Sequence, residues 1–145
     1  MEIKFKKLHP EAKMPTYGTE GAAGFDFYST NTGGVFPSVP VIFGTGVAIE
    51  VPPGHVLLMF SRSGHGFTDN VRLANCVGVI DSDYRGEIKI KLSRDPNGCS
   101  NPFLVKAGDR IAQGIILPVP KITFSLVEEL EATARGQNGY GSTGR

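Results

Sequence analysis

The stretch Gly46-Val47-Ala48-Ile49-Glu50-Val51-Pro52-Pro53-Gly54-His55-Val56-Leu57-Leu58-Met59-Phe60 sets two short apolar runs on either side of a proline–glycine turn. Proline presets φ and glycine accepts positive φ, so Pro52-Pro53-Gly54 reverses the chain, and the flanking runs 46–51 and 55–60 are predicted to pair as a hairpin. The same pattern continues in both directions. Residues 3–8, 25–28, 76–80, 87–92, 111–119 and 124–129 are short, rich in Val, Ile and Phe, and bounded by Gly, Pro, Asn or Asp, which is the signature of strands. Nineteen glycines and ten prolines in 145 residues far exceed the average share of about 12%. That abundance serves turns and ends helices, so the chain is predicted to be all-β. The length matches one domain of about 150 residues, and 40% hydrophobic with 20% charged residues excludes disorder. The polar stretches 30–40 and 94–102 are expected to be loops, and a short helical turn is expected after Ser61, through 62–66.

Fifteen basic against fourteen acidic side chains leave a net charge of +1. No global field then draws the chain to nucleic acid or to an anionic membrane, and any anion site must be local. No apolar stretch approaches the roughly 20 residues needed to cross a bilayer, and the start alternates charged and apolar side chains, so a cytoplasmic protein is expected. Cys76 and Cys99 lie beside apolar or small residues that suit buried thiols, and neither a disulfide nor a metal site is expected of them. His9, His55 and His65 lack metal-ligand spacing.

Three segments combine glycine, hydroxyls and a guanidinium: Ser61-Arg62-Ser63-Gly64, Gly108-Asp109-Arg110-Ile111-Ala112-Gln113-Gly114, and Arg135-Gly136-Gln137-Asn138-Gly139-Tyr140-Gly141-Ser142-Thr143-Gly144. Glycine lets backbone N–H groups approach an anion, Ser and Thr donate from hydroxyls, and Arg forks onto two phosphate oxygens. Each segment alone is also compatible with a surface turn; three together favour a phosphorylated ligand. A fourth segment, 75–87, is apolar to Ile80 and then carries Asp81-Ser82-Asp83 before Tyr84 and Gly86. A tight hairpin between Val79 and Glu87 would present backbone donors and acceptors to the edge of a planar base, with Asp81 or Asp83 as general base; a solvated turn is the plainer alternative. Residues 131–145 are glycine-rich with a single large side chain, Tyr140, and are expected to form a mobile tail that closes on a ligand.

Together with Ala22-Ala23-Gly24-Phe25-Asp26, these segments resemble, in order and spacing, the five motifs of the trimeric all-β dUTPases. The resemblance implies a distorted, jelly-roll-like β-barrel over residues 1–130, with 131–145 as its lid. It implies hydrolysis of dUTP to dUMP and pyrophosphate, which limits uracil incorporation into DNA and supplies dUMP for thymidylate synthesis. It places Asp81 as the base that activates water against the α-phosphorus. Tyr84 would exclude a ribose 2′-hydroxyl, and Asn75 and Val79 with the hairpin backbone would read uracil. Arg62, Ser63, Gly64 and Gln113 would bind the phosphate chain. Arg135, Ser142 and Thr143 would surround the γ-phosphate, and Tyr140 and Gly141 would close over the base. Magnesium is implied, held mainly by phosphates and water, with Asp26 structural or behind the ion's water ligands and not bound to it directly. A homotrimer with shared sites is implied as well. The chain departs from the family pattern at Asn138, where glycine is usual, at Ser61, where proline is usual and whose change is expected to loosen the phosphate loop, and at Gly114, where a larger apolar residue is common. Two other readings share the fold: a dCTP deaminase, and a regulatory β-barrel whose loops 30–40 and 94–102 bind a protein partner.

Overall fold

A computed structural model describes residues 1–96 and 100–139 of the chain. Strands β1 (Lys4–Lys7), β2 (Thr16–Tyr17), β3 (Phe25–Tyr28), β4 (Gly33–Val35), β5 (Val41–Gly44), β6 (Val47–Glu50) and β7 (His55–Phe60) precede a short helix, α1 (Ser63–Asp69). Strands β8 (Val71–Leu73), β9 (Gly78–Ile80), β10 (Lys89–Arg94), β11 (Phe103–Val105) and β12 (Arg110–Pro118) follow it. The all-β expectation holds, and the helix occupies the segment after Ser61. All ladders are antiparallel: β2-β3-β12-β7-β9 form the largest sheet, β5-β10-β8 a second, and β1-β6 and β11-β4 two pairs. Along β10, Ile90, Leu92 and Arg94 are buried while Lys89 and Lys91 face water, the period-2 pattern that fixes register. Of these, Ile90 and Leu92 join Phe27, Phe43, Leu57, Met59, Ile88 and Ile111 in one core.

Buried Arg94 donates from Nε to the Asp69 carbonyl at 3.0 Å and from Nη1 to the Asn101 carbonyl. Its charge is thereby spent on the last carbonyl of α1 and the loop before β11, which satisfies a group that burial would otherwise penalise. Among the described residues no helix is long and apolar enough to cross a membrane.

Several expectations need correction. The turn at Pro52 forms, with His55 N donating to the Pro52 carbonyl at 3.1 Å, but its flanking runs do not pair: β6 joins β1, and β7 joins β12 and β9. Two consecutive prolines remove the N–H donors a tight hairpin ladder requires, and the chain passes from one sheet to another. Residues 124–129 form no strand; Phe124 is 88% exposed and Leu126 fully exposed. Their apolar pattern meets no sheet edge within this chain. Within 30–40 lies β4, held by buried Val35 against β11. Cys76 is exposed at φ 63°, not buried, because the turn between β8 and β9 turns its backbone left-handed. Cys99 lies outside the described residues.

Gly114 has a steric cause. A Cβ there would stand 2.7 Å from Phe27 Cε2 and 2.9 Å from Leu57 Cδ1 and Phe25 Cε2. The large rings of β3 fill the space a bigger residue would take, so the departure at this position is a trade of volume across the sheet.

Candidate active site

The sequence-chosen residues gather in two places. The first is where β3, β7 and β12 meet at Phe60. Gln113 stands directly opposite Asp26 on one side and Phe60 on the other, and with Ala22, Ala23 and Gly24 it lines a cavity of about 320 Å³. A bulge between Arg110 and Ala112 breaks the β3–β12 register there, and such bulges re-aim neighbouring side chains. Arg110 Nη1 reaches Asp26 Oδ2 at 3.1 Å, and Arg62 Nε lies 3.3 Å from Asp26 Oδ1. Asp26, only 3% exposed, thus pairs with two guanidiniums, Arg62 of the 61–64 segment and Arg110 of the 108–114 segment. That placement holds Arg62 next to exposed Ser63 and Gly64 at the start of α1. Ser61 Oγ accepts from Leu73 N at 2.8 Å, a tie to β8 that proline could not make.

The second place is the end of β9. Val79, 61% exposed, and Asp81 share an open cleft of about 550 Å³ with His55, Leu58, Asp83 and Lys121. The predicted 79–87 hairpin is absent: β9 pairs with β7 while β10 pairs with β5 and β8. The reason lies at Glu87 and Ile88. Glu87 Oε1 accepts from Gly46 N at 2.9 Å and Ile88 N donates to the Val47 carbonyl at 2.9 Å, so the return limb is captured by the β5–β6 connection. The outer edge of β9 is consequently open, since β9 ends its sheet. An open edge can read a planar base as a partner strand would.

Between these limbs Tyr84 N donates to the Asp81 carbonyl at 3.2 Å and Arg85 Nη1 braces the Ser82 and Tyr84 carbonyls at 2.8 and 2.9 Å. Tyr84 donates its hydroxyl to the Glu87 carbonyl at 3.0 Å, and its ring folds back over Gly86, where a Cβ would stand 2.6 Å from Cζ. Asn75 is exposed on the β8–β9 turn.

These two places are offset along the largest sheet: Ile80 is level with Leu57 and Ile116, so Asp81 falls level with Leu117, four residues along β12 from Gln113. Four steps of about 3.4 Å along β12 and two strand spacings of about 4.8 Å across to β9 put roughly 17 Å between Gln113 and Asp81. Arg135 joins neither place: its Nε donates to the Asn138 carbonyl at 2.9 Å. Gly136, at φ 52°, takes the left-handed position of that turn instead of Asn138. Tyr140, Gly141, Ser142 and Thr143 lie outside the described residues.

Sequence reasoning did not single out His65, Arg110 or Glu87 individually. His65 stands three residues after Arg62, the helical spacing that brings side chains together, and its Nε2 lies 3.1 Å from Arg62 Nη1.

The family model described as dUTPase matches residues 10–144. The deoxyuridine 5′-triphosphate nucleotidohydrolase of Nautilia profundicola is 43% identical, covering 100% of both chains. That of Corynebacterium glutamicum is 42% identical over 99% of this chain and 95% of its own. The dUTPase of Staphylococcus bacteriophage 80alpha, solved with dUpNHpp, superposes with a TM-score of 0.87 at 28% identity over 99% of both chains. A dUTPase of phage phi11 of S. aureus shares the fold at a TM-score of 0.80 and 24% identity, over 91% of this chain and 100% of that one; its structure describes coordination of a structural Mg(II) ion.

Proposed function

The chain belongs to the dUTPase family, hydrolases of deoxyuridine triphosphate, and from that premise we propose that Asp81 is its general base and that each working site is assembled from more than one copy of the chain. The observation that carries this reading is the separation of roughly 17 Å, by strand register and spacing, between Asp81 after β9 and Gln113 on β12 of the same copy. A base and the groups that hold the phosphate chain must both come within hydrogen-bond reach of the reacting phosphate. One copy cannot supply both; neighbouring copies can. The unpartnered apolar segment 124–129, with Phe124 and Leu126 in water, supports the same conclusion, since a second copy would cover it. A homotrimer fits this demand.

In the assembled site the Asp81 carboxylate takes a proton from water as the water oxygen attacks the α-phosphorus. The bond from that phosphorus to the α–β bridging oxygen breaks, and pyrophosphate leaves with the bridging oxygen, giving dUMP. The open edge of β9 and Asn75 pair with the uracil edge. Cytosine offers a donor where uracil offers an acceptor, so it leaves buried polar groups unpaired, a strong penalty. A 5-methyl group is excluded by the backbone wall beside Val79. Tyr84, fixed by Gly86 and by its bond to the Glu87 carbonyl, occupies the space a 2′-hydroxyl would need.

Among the described residues no cluster of three His, Cys, Asp or Glu offers a ready cation cage, and both Asp26 oxygens face guanidiniums. The residues present therefore fit a magnesium ion carried by the triphosphate and water, with Arg62, Ser63, Gly64 and Gln113 holding that triphosphate. When bound, the ion neutralises charge developing on the phosphates.

Pyrophosphate release measured in parallel from dUTP, dTTP, dCTP and UTP tests the reading. Release from dUTP is expected to exceed the others by at least roughly a hundredfold. Equal rates, no release from dUTP, or ammonia from dCTP would contradict it.

A further inference from the structure

A guanidinium carries five N–H donors and no acceptor. For Arg62, Nε faces Asp26 Oδ1 at 3.3 Å, and Nη1 faces His65 Nε2 at 3.1 Å and the Arg110 carbonyl at 3.4 Å. Among the described residues Nη1 makes these hydrogen bonds while Nε makes an ion-pair contact without a hydrogen bond, and the two Nη2 donors are left for an anion. Because Arg62 can only donate, His65 must accept at Nε2, and the ring is then neutral with its proton on Nδ1. We propose that His65 is a positioning residue for the phosphate arm: its neutral imidazole fixes the Arg62 guanidinium so that Nη2 meets the triphosphate. This rests on the dUTPase reading, in which Arg62 binds phosphate.

The surroundings hold the ring in that form. Its Nδ1 is buried without a partner among the described residues, and Phe103 of β11 packs edge-on at 4.9 Å between centroids. The ring borders a cavity of about 280 Å³ shared with Arg62, Asp109 and Arg110. Four charged groups act on it. Arg62 ahead of α1 and Arg110 of β12 oppose a second proton, while Asp69 at the end of α1 and Asp109 before β12 favour one. Burial is the largest influence, Arg62 the next, and together they hold the imidazole below its ordinary pKa.

Acid should therefore act at this point. As pH falls through the ring's pKa, Nε2 gains a proton, the Arg62 contact becomes a repulsion between cations, and the guanidinium loses its bearing. The unfolded chain, with the higher imidazole pKa, takes up its proton first. Between the two values it binds more protons than the folded chain, so stability also falls as pH falls.

The test is the KM for dUTP of the full chain from pH 5 to 8, for the wild type and His65→Gln, with chemical-shift titration of the His65 ring and calorimetric binding of dUpNHpp alongside. An amide oxygen can accept from Arg62 but does not titrate. The wild-type KM is expected to rise about tenfold toward pH 5, the size of one hydrogen bond to a charged group. H65Q is expected to start about two- to threefold higher at pH 7.5 and to lack that acid limb. The ratio of the two profiles removes pH effects common to both chains, and thermal unfolding checks that H65Q is folded. The same acid limb in H65Q, or a His65 ring that titrates at or above the ordinary imidazole value, would overturn the proposal. Absence of any dUTP hydrolysis by the wild type at pH 7.5 would overturn the dUTPase reading instead, and the ring titration would still decide the state of His65.

Discussion

Asp81→Asn is expected to lower dUTP turnover by roughly 10²–10⁴-fold, the usual share of a general base, while the affinity for dUpNHpp changes little. Asn keeps the size of the side chain and its place after β9 but cannot take a proton from water. Nothing else at that turn depends on the carboxylate: the bond that closes it runs from Tyr84 N to the Asp81 carbonyl, and Arg85 braces the turn through backbone carbonyls. The substitution therefore removes an interaction made in the transition state and leaves ground-state binding in place, which is read as a fall in kcat at nearly constant KM. Steady-state kinetics with calorimetry of dUpNHpp binding checks this. Weakened binding at unchanged kcat would assign Asp81 to substrate recognition and leave the base elsewhere.

Deletion of residues 135–145 is expected to leave a folded protein with turnover reduced by at least roughly 10²-fold. The described part of this segment adds nothing to the core; its contacts are local, such as Arg135 Nε to the Asn138 carbonyl at 2.9 Å. We propose that the deletion costs the stacking of Tyr140 on the base, about 1–3 kcal/mol, and the γ-phosphate donors that the family resemblance assigns to Arg135, Ser142 and Thr143, each about 1.5–3 kcal/mol for a hydrogen bond to a charged group. Thermal unfolding and kcat/KM measured on the same preparation separate the two effects. A truncated chain that retains the full rate would refute the lid; one that fails to fold would show that the tail belongs to the core assembly.

Much of the site was legible because its chemistry is written in short runs. Asp81, Tyr84 and Gly86 lie within six residues, and the turn between them closes through neighbouring backbone. Arg62, Ser63 and Gly64 open a seven-residue helix that the same run encodes. Pairing partners were not legible, since a strand's pattern gives its buried face and not the strand beside it. Pro52 and Pro53 looked like the top of a hairpin and instead carry the chain between sheets; Glu87 looked like the return of a hairpin and is captured by the backbone at Gly46. Strands β4 and β8 are three residues each, too short for a periodic signal, and the two glycines of β4 read as loop. The network of Asp26, Arg62, Arg110 and His65 joins residues up to 84 positions apart and becomes visible only once β3 and β12 are paired. The cause of Gly114 is likewise tertiary: it lies in the rings of Phe25 and Phe27 on the adjacent strand.

The most direct test of a site divided between copies is subunit mixing. Asp81→Asn and Arg62→Ala chains are each assayed alone, then unfolded together, refolded and assayed as a mixture. Each variant alone is expected to be nearly inactive. The mixture is expected to recover roughly a quarter of the wild-type rate, the statistical share of shared sites that draw Asp81 from one chain and Arg62 from another. A mixture no more active than its components, or a wild-type chain that is fully active as a monomer, would place the whole site within one copy and contradict the separation along β12.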